Sequence, residues 1–179
     1  ALNDPNGDIV MPRGATQVDW EAELAVVIGT TARYVDEADA LSHVAGYCVA
    51  NDVSERDFQS NRGGDWQKGK SCDSFAPLGP WLVTADQIPD PQALRVRLEV
   101  NGESMQDSST GQMIFSVAHL ISYISFFMTL ARGDVIITGT PPGVGAGRTP
   151  PRFLQPGDVV TVGVAGLGEQ RQVVVGPTG

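Results

Sequence analysis

The sequence predicts a β-rich α+β domain with two short to medium helices, and three observations carry that prediction. Residues 18–28 read VDWEAELAVVI and alternate apolar and polar with a period of two, as a strand does. Residues 94–100 alternate again and stop at Asn101-Gly102, the strongest short hairpin signal. Residues 115–130 instead place apolar side chains every three to four positions, the helical period.

The chain opens on a turn-rich stretch, Asn3-Asp4-Pro5-Asn6-Gly7-Asp8. In the strand that follows, Trp20, Ala22, Leu24, Val26 and Ile28 share one face, while Glu21 and Glu23 share the other with Ala25 and Val27. Residues 36–45 read as a short helix, with Leu41, Val44 and Ala45 on one side and acidic residues early, where the helix dipole favours them. A strand over 46–51 comes next, then a Gly-rich polar loop over 62–74, and the turn Pro77-Leu78-Gly79-Pro80 feeds a strand at 81–84. The second helix puts Leu120, Ile121, Ile124, Phe127 and Met128 on one stripe and so reads as core, with Arg132-Gly133-Asp134 as its stop. Residues 135–138 and 159–164 are short β runs entered through Gly-Asp, and 170–175 closes the fold. Repeats, low-complexity tracts and linkers are missing, so residues 1–179 read as a single domain.

Composition narrows the function. A chain of 179 residues can bury about two thirds of its unfolded surface, enough for a water-poor pocket. A net charge of -9 and a pI near 4.5 argue against nucleic acid, which demands a basic face. No apolar run reaches the roughly 20 residues that cross a bilayer. Cys48 and Cys72 form no metal pattern, and the default compartment is a reducing cytoplasm. Because the chain starts at Ala1 on a turn rather than at Met, an upstream segment is expected to be missing.

Glu21 and Glu23, at i and i+2 of a strand, project about 6.5 to 7 Å apart and can converge on one cation. The plain alternative is a solvent face, but that face turns apolar at Ala25 and Val27. Asp52 follows an apolar strand directly and is either a third oxygen ligand or the cap of a short helix. As a cap it would bring Arg56 and Gln59 onto one face above it, with Arg56 clamping a carboxylate or forming a surface ion pair. Residues 64–71, GDWQKGKS, satisfy the Walker A expression GxxxxGK[ST]. The context rejects it, because no buried strand precedes and prolines and a glycine occupy the place of the helix. Lys70 remains a cation beside a glycine, or an exposed loop lysine. Thr138-Gly139-Thr140-Pro141-Pro142-Gly143 is a rigid turn offering hydroxyls and amides. His43 and His119 lack ligand spacing and read as core or surface residues.

Taken in order, DWEAELAVVIG, GYCVANDVSERDFQ, GKSCDSFAPLGPW, VNGESMQD, GDVIITGTPPGVG and LQPGDVV resemble the fumarylacetoacetate hydrolase family over nearly the whole chain, from about Val10 to Gln172. The nearest branch is that of 2,4-diketo-3-deoxy-sugar-acid hydrolases and proteins called ureidoglycolate lyases. The resemblance implies the mixed β-sandwich roll of the C-terminal catalytic domain and a homodimer or larger assembly. It implies a cation on Glu21, Glu23 and Asp52, Mg²⁺ first and Mn²⁺ or Ca²⁺ as alternatives, which suits an all-oxygen donor set. It assigns Arg56, Gln59, Lys70 and Thr140 to a 2-keto acid substrate, with Lys70, Gln59 and Arg56 also catalytic. The implied reaction is hydrolysis of a carbon-carbon bond in a 2,4-diketo acid. Lyase, decarboxylase or isomerase chemistry on the same platform is one alternative, and a non-catalytic keto-acid-binding homologue is another. Two departures stand out. The His and Glu that diketone hydrolases of the family carry on an upstream lid fall outside this sequence, and Glu55 stands where the family pattern often has a small residue.

Overall fold

A computed structural model describes residues 1–177. In chain order the elements are β1 (Ile9–Val10), β2 (Val18–Asp19), β3 (Ala22–Ile28), β4 (Val44–Asn51), β5 (Ser54–Glu55), α1 (Arg56–Ser60), α2 (Gln67–Lys70), β6 (Leu78–Thr84), β7 (Arg95–Val100), β8 (Glu103–Ser109), α3 (Val117–Phe127), β9 (Val135–Ile137), β10 (Val159–Val164) and β11 (Gly168–Val175). Five strands in the order β1-β11-β10-β7-β8 form one sheet, and four in the order β6-β4-β3-β9 form the other. β2 and β5 make a small separate pair. Among the described residues only β1 and β11 pair in parallel, so the larger sheet is mixed.

The two sheets close on a shared apolar core, as the alternation in β3 requires. Leu24, Val26 and Ile28 meet Leu98, Val100, Val160 and Val162, all essentially inaccessible to water. Burying one such side chain is worth about 1.5 to 3 kcal/mol. The other face of β3 and β4 holds a second, smaller cluster of Ala25, Cys48 and Ala50. The β7–β8 hairpin turns at Asn101 and Gly102 with φ of 54° and 79°, the two positive values that a two-residue turn between twisted strands needs.

Four readings of the sequence need correction. The strand over 18–28 breaks into β2, which pairs with β5, and β3, with Trp20 and Glu21 in neither. Residues 36–45 form only a 3-10 turn at Ala40–His43; Asp39 supplies no side-chain cap bond, and the ladder of β4 takes Val44 and the residues after it. The loop over 62–74 contains α2, in a place where Gly69 argues against a helix. Gly69 is there for proximity, because a Cβ on it would lie 2.5 Å from the Glu55 carbonyl and 2.6 Å from Gln59 Cβ. The helix over 115–130 is α3, capped by Ser116 through the His119 amide, and it is core on one side only. Val117 and Ile121 are buried, whereas Phe127 and Met128 are 63% and 61% exposed.

Candidate metal centre

β3 lies between β4 and β9, and its register places Ala22 opposite Asn51 and Glu23 opposite Ala50. The chain leaves β4 immediately after Asn51, so Asp52 sits beside the start of β3, and its amide donates to the Glu21 carbonyl at 2.9 Å. As a result, one carboxylate oxygen from each of Glu21, Glu23 and Asp52 lies within 4.8 Å of the others. Glu21 and Glu23 are buried and Asp52 is partly so. Three converging carboxylates without a thiol or imidazole among them suit a hard divalent cation.

Asp52 does not cap the helix. Glu55 does, accepting from the Phe58 amide at 2.6 Å and from the Thr16 and Gln17 amides at 3.0 and 2.7 Å. The position that departs from the family pattern is therefore a fully buried anchor that leaves the Asp52 carboxylate facing the cluster.

Two cations face the acids. Lys70 Nζ donates to Glu21 Oε2 at 2.7 Å and to Asp52 Oδ2 at 2.6 Å, and Arg56 Nη1 lies 2.6 Å from Glu21 Oε1. Arg56 Nη1 also donates to Gln59 Oε1 at 3.2 Å, so the structure brings Lys70, Arg56 and Gln59 to the triad's rim. Lys70 ends α2 rather than sitting in a loop, and α2 packs on α1 at Gly69. Both cationic side chains are more than four-fifths buried, which strengthens their pull on the carboxylates.

The carboxylates respond unequally. Burial, then the charges of Asp52 and Glu21, raise Glu23 to about 8 in spite of the Gly139 amide that donates to it. Burial also presses Glu21 upward, but Lys70 and Arg56 overcome it and hold that carboxyl below its ordinary value. Asp52 is raised by burial, with Lys70 opposing.

Thr140 is placed differently. Its hydroxyl donates to the Ala22 carbonyl at 3.0 Å and accepts from Gln106 Nε2 at 2.8 Å, so it fixes the turn to β3 and makes no bond to the triad. In that turn the group that reaches the acids is the Gly139 amide, on Glu23 Oε2. A cavity of about 650 Å³ lies beneath the same turn, lined by Leu24, Val96, Met113, Phe115 and Leu120, and Gly139 and Thr140 form part of its wall. None of Glu21, Glu23 and Asp52 lines it.

Sequence reasoning missed three supports. Asp19 is fully buried and accepts from Arg56 Nε at 2.9 Å. Gln106 accepts the Ala22 amide at 3.0 Å, and Asn51 accepts the Glu21 amide at 3.1 Å. Asp19 had a signal, since the alternation that pairs Glu21 with Glu23 extends back to it.

The sequence profile described as fumarylacetoacetate (FAA) hydrolase C-terminal matches residues 1–175. A Burkholderia ambifaria protein named as a candidate hydrolase is 59% identical over 169 residues, which are 94% of this chain and 60% of that protein. This chain thus spans about 60% of the length of such relatives. The crystal structure of 5-carboxymethyl-2-hydroxymuconate delta-isomerase from Mycobacterium smegmatis superposes with a TM-score of 0.90 at 41% identity, over all of this chain and 67% of that one. Fumarylpyruvate hydrolase from Pseudomonas aeruginosa, solved in complex with Mn²⁺ and pyruvate, gives a TM-score of 0.87 at 33% identity, over 98% of this chain and 74% of that one.

Proposed function

This chain belongs to the fumarylacetoacetate hydrolase family, and from that premise we propose that it is the catalytic domain of a divalent-metal-dependent hydrolase that cleaves a carbon-carbon bond in a small 2,4-diketo acid. Acylpyruvates and diketo-deoxy sugar acids are the substrate classes. The observation that carries the reading is the meeting of Glu21, Glu23 and Asp52 within 4.8 Å, rimmed by Lys70, Arg56 and Gln59. Glu21, Glu23 and Asp52 would hold the ion, with Mg²⁺ first and Mn²⁺ or Ca²⁺ as alternatives. The Mn²⁺ and pyruvate of the Pseudomonas relative support both the ion class and the ligand class.

When bound, the ion supplies Lewis acidity toward the carboxylate and keto oxygens of a 2-keto acid. Arg56 offers a planar fork to the substrate carboxylate. Lys70 and Gln59 donate to the oxyanion that develops on the attacked carbonyl, each such donor being worth about 3 kcal/mol. Thr140 completes the pocket by holding its turn against β3, with Gly139 aimed at Glu23. The two cations also make a heavily acidic cleft enterable by an anion.

The second reading is isomerisation of a 2-keto acid on the same platform, favoured by the likeness to the Mycobacterium isomerase. The reading also includes a homodimer or larger assembly, supported by the exposed apolar side of α3. The free thiols of Cys48 and Cys72 fit a reducing compartment.

The test uses the full-length protein with acylpyruvates and diketo-deoxy sugar acids in ¹⁸O-water, with and without EDTA. Hydrolysis places one ¹⁸O in a new carboxylate and stops when the ion is removed. Conversion without label uptake gives the isomerase reading instead, and equal rates with EDTA reject the metal role.

A further inference from the structure

Asp19 lies outside the triad, yet three site-bearing segments meet on its side chain. Its Oδ1 accepts from its neighbour's amide, Trp20 N, at 2.8 Å and from the Gly145 amide at 2.6 Å. Its Oδ2 accepts from the Ala146 amide at 3.0 Å and from Arg56 Nε at 2.9 Å. The carboxylate is wholly buried, so its charge stands on these four donors alone, and Arg56 is its one cationic partner among the described residues. The fit is tight: a Cβ on Gly145 would lie 2.8 Å from Asp19 Oδ1.

A guanidinium carries its five N–H donors in a rigid plane. With Nε–H on Asp19 and Nη1 on Glu21 and Gln59, the plane is held at two of its nitrogens and its orientation is set. Arg56 Nη2 makes no hydrogen bond among the described residues, so its donors remain for an incoming carboxylate. The same Asp19 oxygen that holds Nε also holds Ala146, at the far end of the turn whose near end places the Gly139 amide on Glu23.

We propose that Asp19 is a positioning residue for the keto-acid site, locking Arg56 by its Nε so that Nη2 meets the substrate carboxylate, and tying that geometry to the 139–146 turn. The inference rests on the function proposed above for its substrate, but the arginine lock itself is testable without metal or acid. Asp19→Asn keeps the shape and removes the charge, and it puts an amide hydrogen against the Arg56 donor or the turn amides. In the full-length protein, the Arg56 Nε–H should give an exchange-protected NMR signal that Arg56→Ala deletes and Asp19→Asn shifts and unprotects.

Calorimetry then separates roles. Asp19→Asn should leave Mn²⁺ affinity within about threefold while weakening oxalate, the probe for a 2-keto acid, by about 10- to 100-fold, the usual range for an outer support. In Arg56→Ala, added methylguanidinium should restore oxalate binding, and in the Asp19→Asn/Arg56→Ala double variant it should not. If Asp19→Asn fails to fold, Arg56→Lys carries the test, since a point charge without the fork should lose oxalate affinity to a similar degree. An unchanged Nε–H signal in Asp19→Asn overturns the lock. Parallel loss of Mn²⁺ and oxalate binding, or equal rescue with and without Asp19, reduces Asp19 to a merely structural residue. A wild-type chain that shows the protected signal but binds neither probe rejects the proposed function and leaves the arginine lock standing.

Discussion

At the scale of single residues, Glu21, just before β3, and Glu23, on it, converge on one point but are driven in opposite directions, and a pH dependence follows. Glu23, raised to about 8, favours folding while it is neutral. Its contribution is complete below the ordinary carboxyl value and is lost as the pH rises through about 8. Glu21 has the opposite sign, contributing above its ordinary value and losing that as acid protonates it. On the proposed metal role a cation needs the Glu23 carboxylate, so its binding below pH 8 would release a proton. Mn²⁺ affinity should therefore climb by up to about tenfold per pH unit and level off above that value. Calorimetry in buffers of different ionisation enthalpy would read the released proton, and Glu23→Gln should abolish both the release and most of the affinity. The glutamates were legible because the i, i+2 alternation of an extended chain puts them on one side, although Glu21 itself lies just before β3 and is held by Asn51 and Asp52. Gln106 was not, because nothing in a glutamine near a hairpin tells that its amide will reach across to Ala22.

At the scale of elements, the strands were read well because period-two patterning and the Asn-Gly turn are local signals. The helices were read less well. The stripe in α3 was correct as a helix, but a stripe does not say how much of it this chain covers. α1 and α2 are too short for periodicity to announce, and they exist because each is held by something distant in sequence. α1 is capped by Glu55, itself fixed by the 16–17 amides, and α2 is allowed against α1 by Gly69. Gly69→Ala separates that contact from intrinsic propensity, since alanine is the better helix former by about 1 kcal/mol. Packing should win here, with a net destabilisation of about 1 to 3 kcal/mol as α2 is pushed off α1. Thermal unfolding should show a lowered midpoint, and on the proposed function KM for a keto acid should rise because Lys70 travels with α2. A raised midpoint would show that the two short helices can part freely.

At the scale of the whole molecule, the exposed side of α3 carries a run of apolar and aromatic side chains, Tyr123, Phe126, Phe127 and Met128. Phe115 stacks on His119 at 4.8 Å, Tyr123 meets Phe127 edge-on at 5.0 Å, and Phe126 meets Phe127 at 5.2 Å, all on or beside the solvent side of α3. A band of this kind marks an interaction surface. Sedimentation should find a dimer or larger species, and Phe126→Glu/Phe127→Glu should weaken association by about 100-fold or more, given about 1.5 to 3 kcal/mol per covered ring. An unaltered mass distribution would place the interface elsewhere. A different consequence follows from where β3 gets its partners. β4 comes soon after it, but β9, the Gly139 amide on Glu23 and the Gly145 and Ala146 amides on Asp19 arrive more than a hundred positions later. During synthesis β3 must therefore wait, half-paired and with Glu23 lacking its backbone donor, until the chain has been made through the 139–146 turn. Long-range closure of this kind is slow, and the nascent chain is most open to aggregation or chaperone capture over that interval.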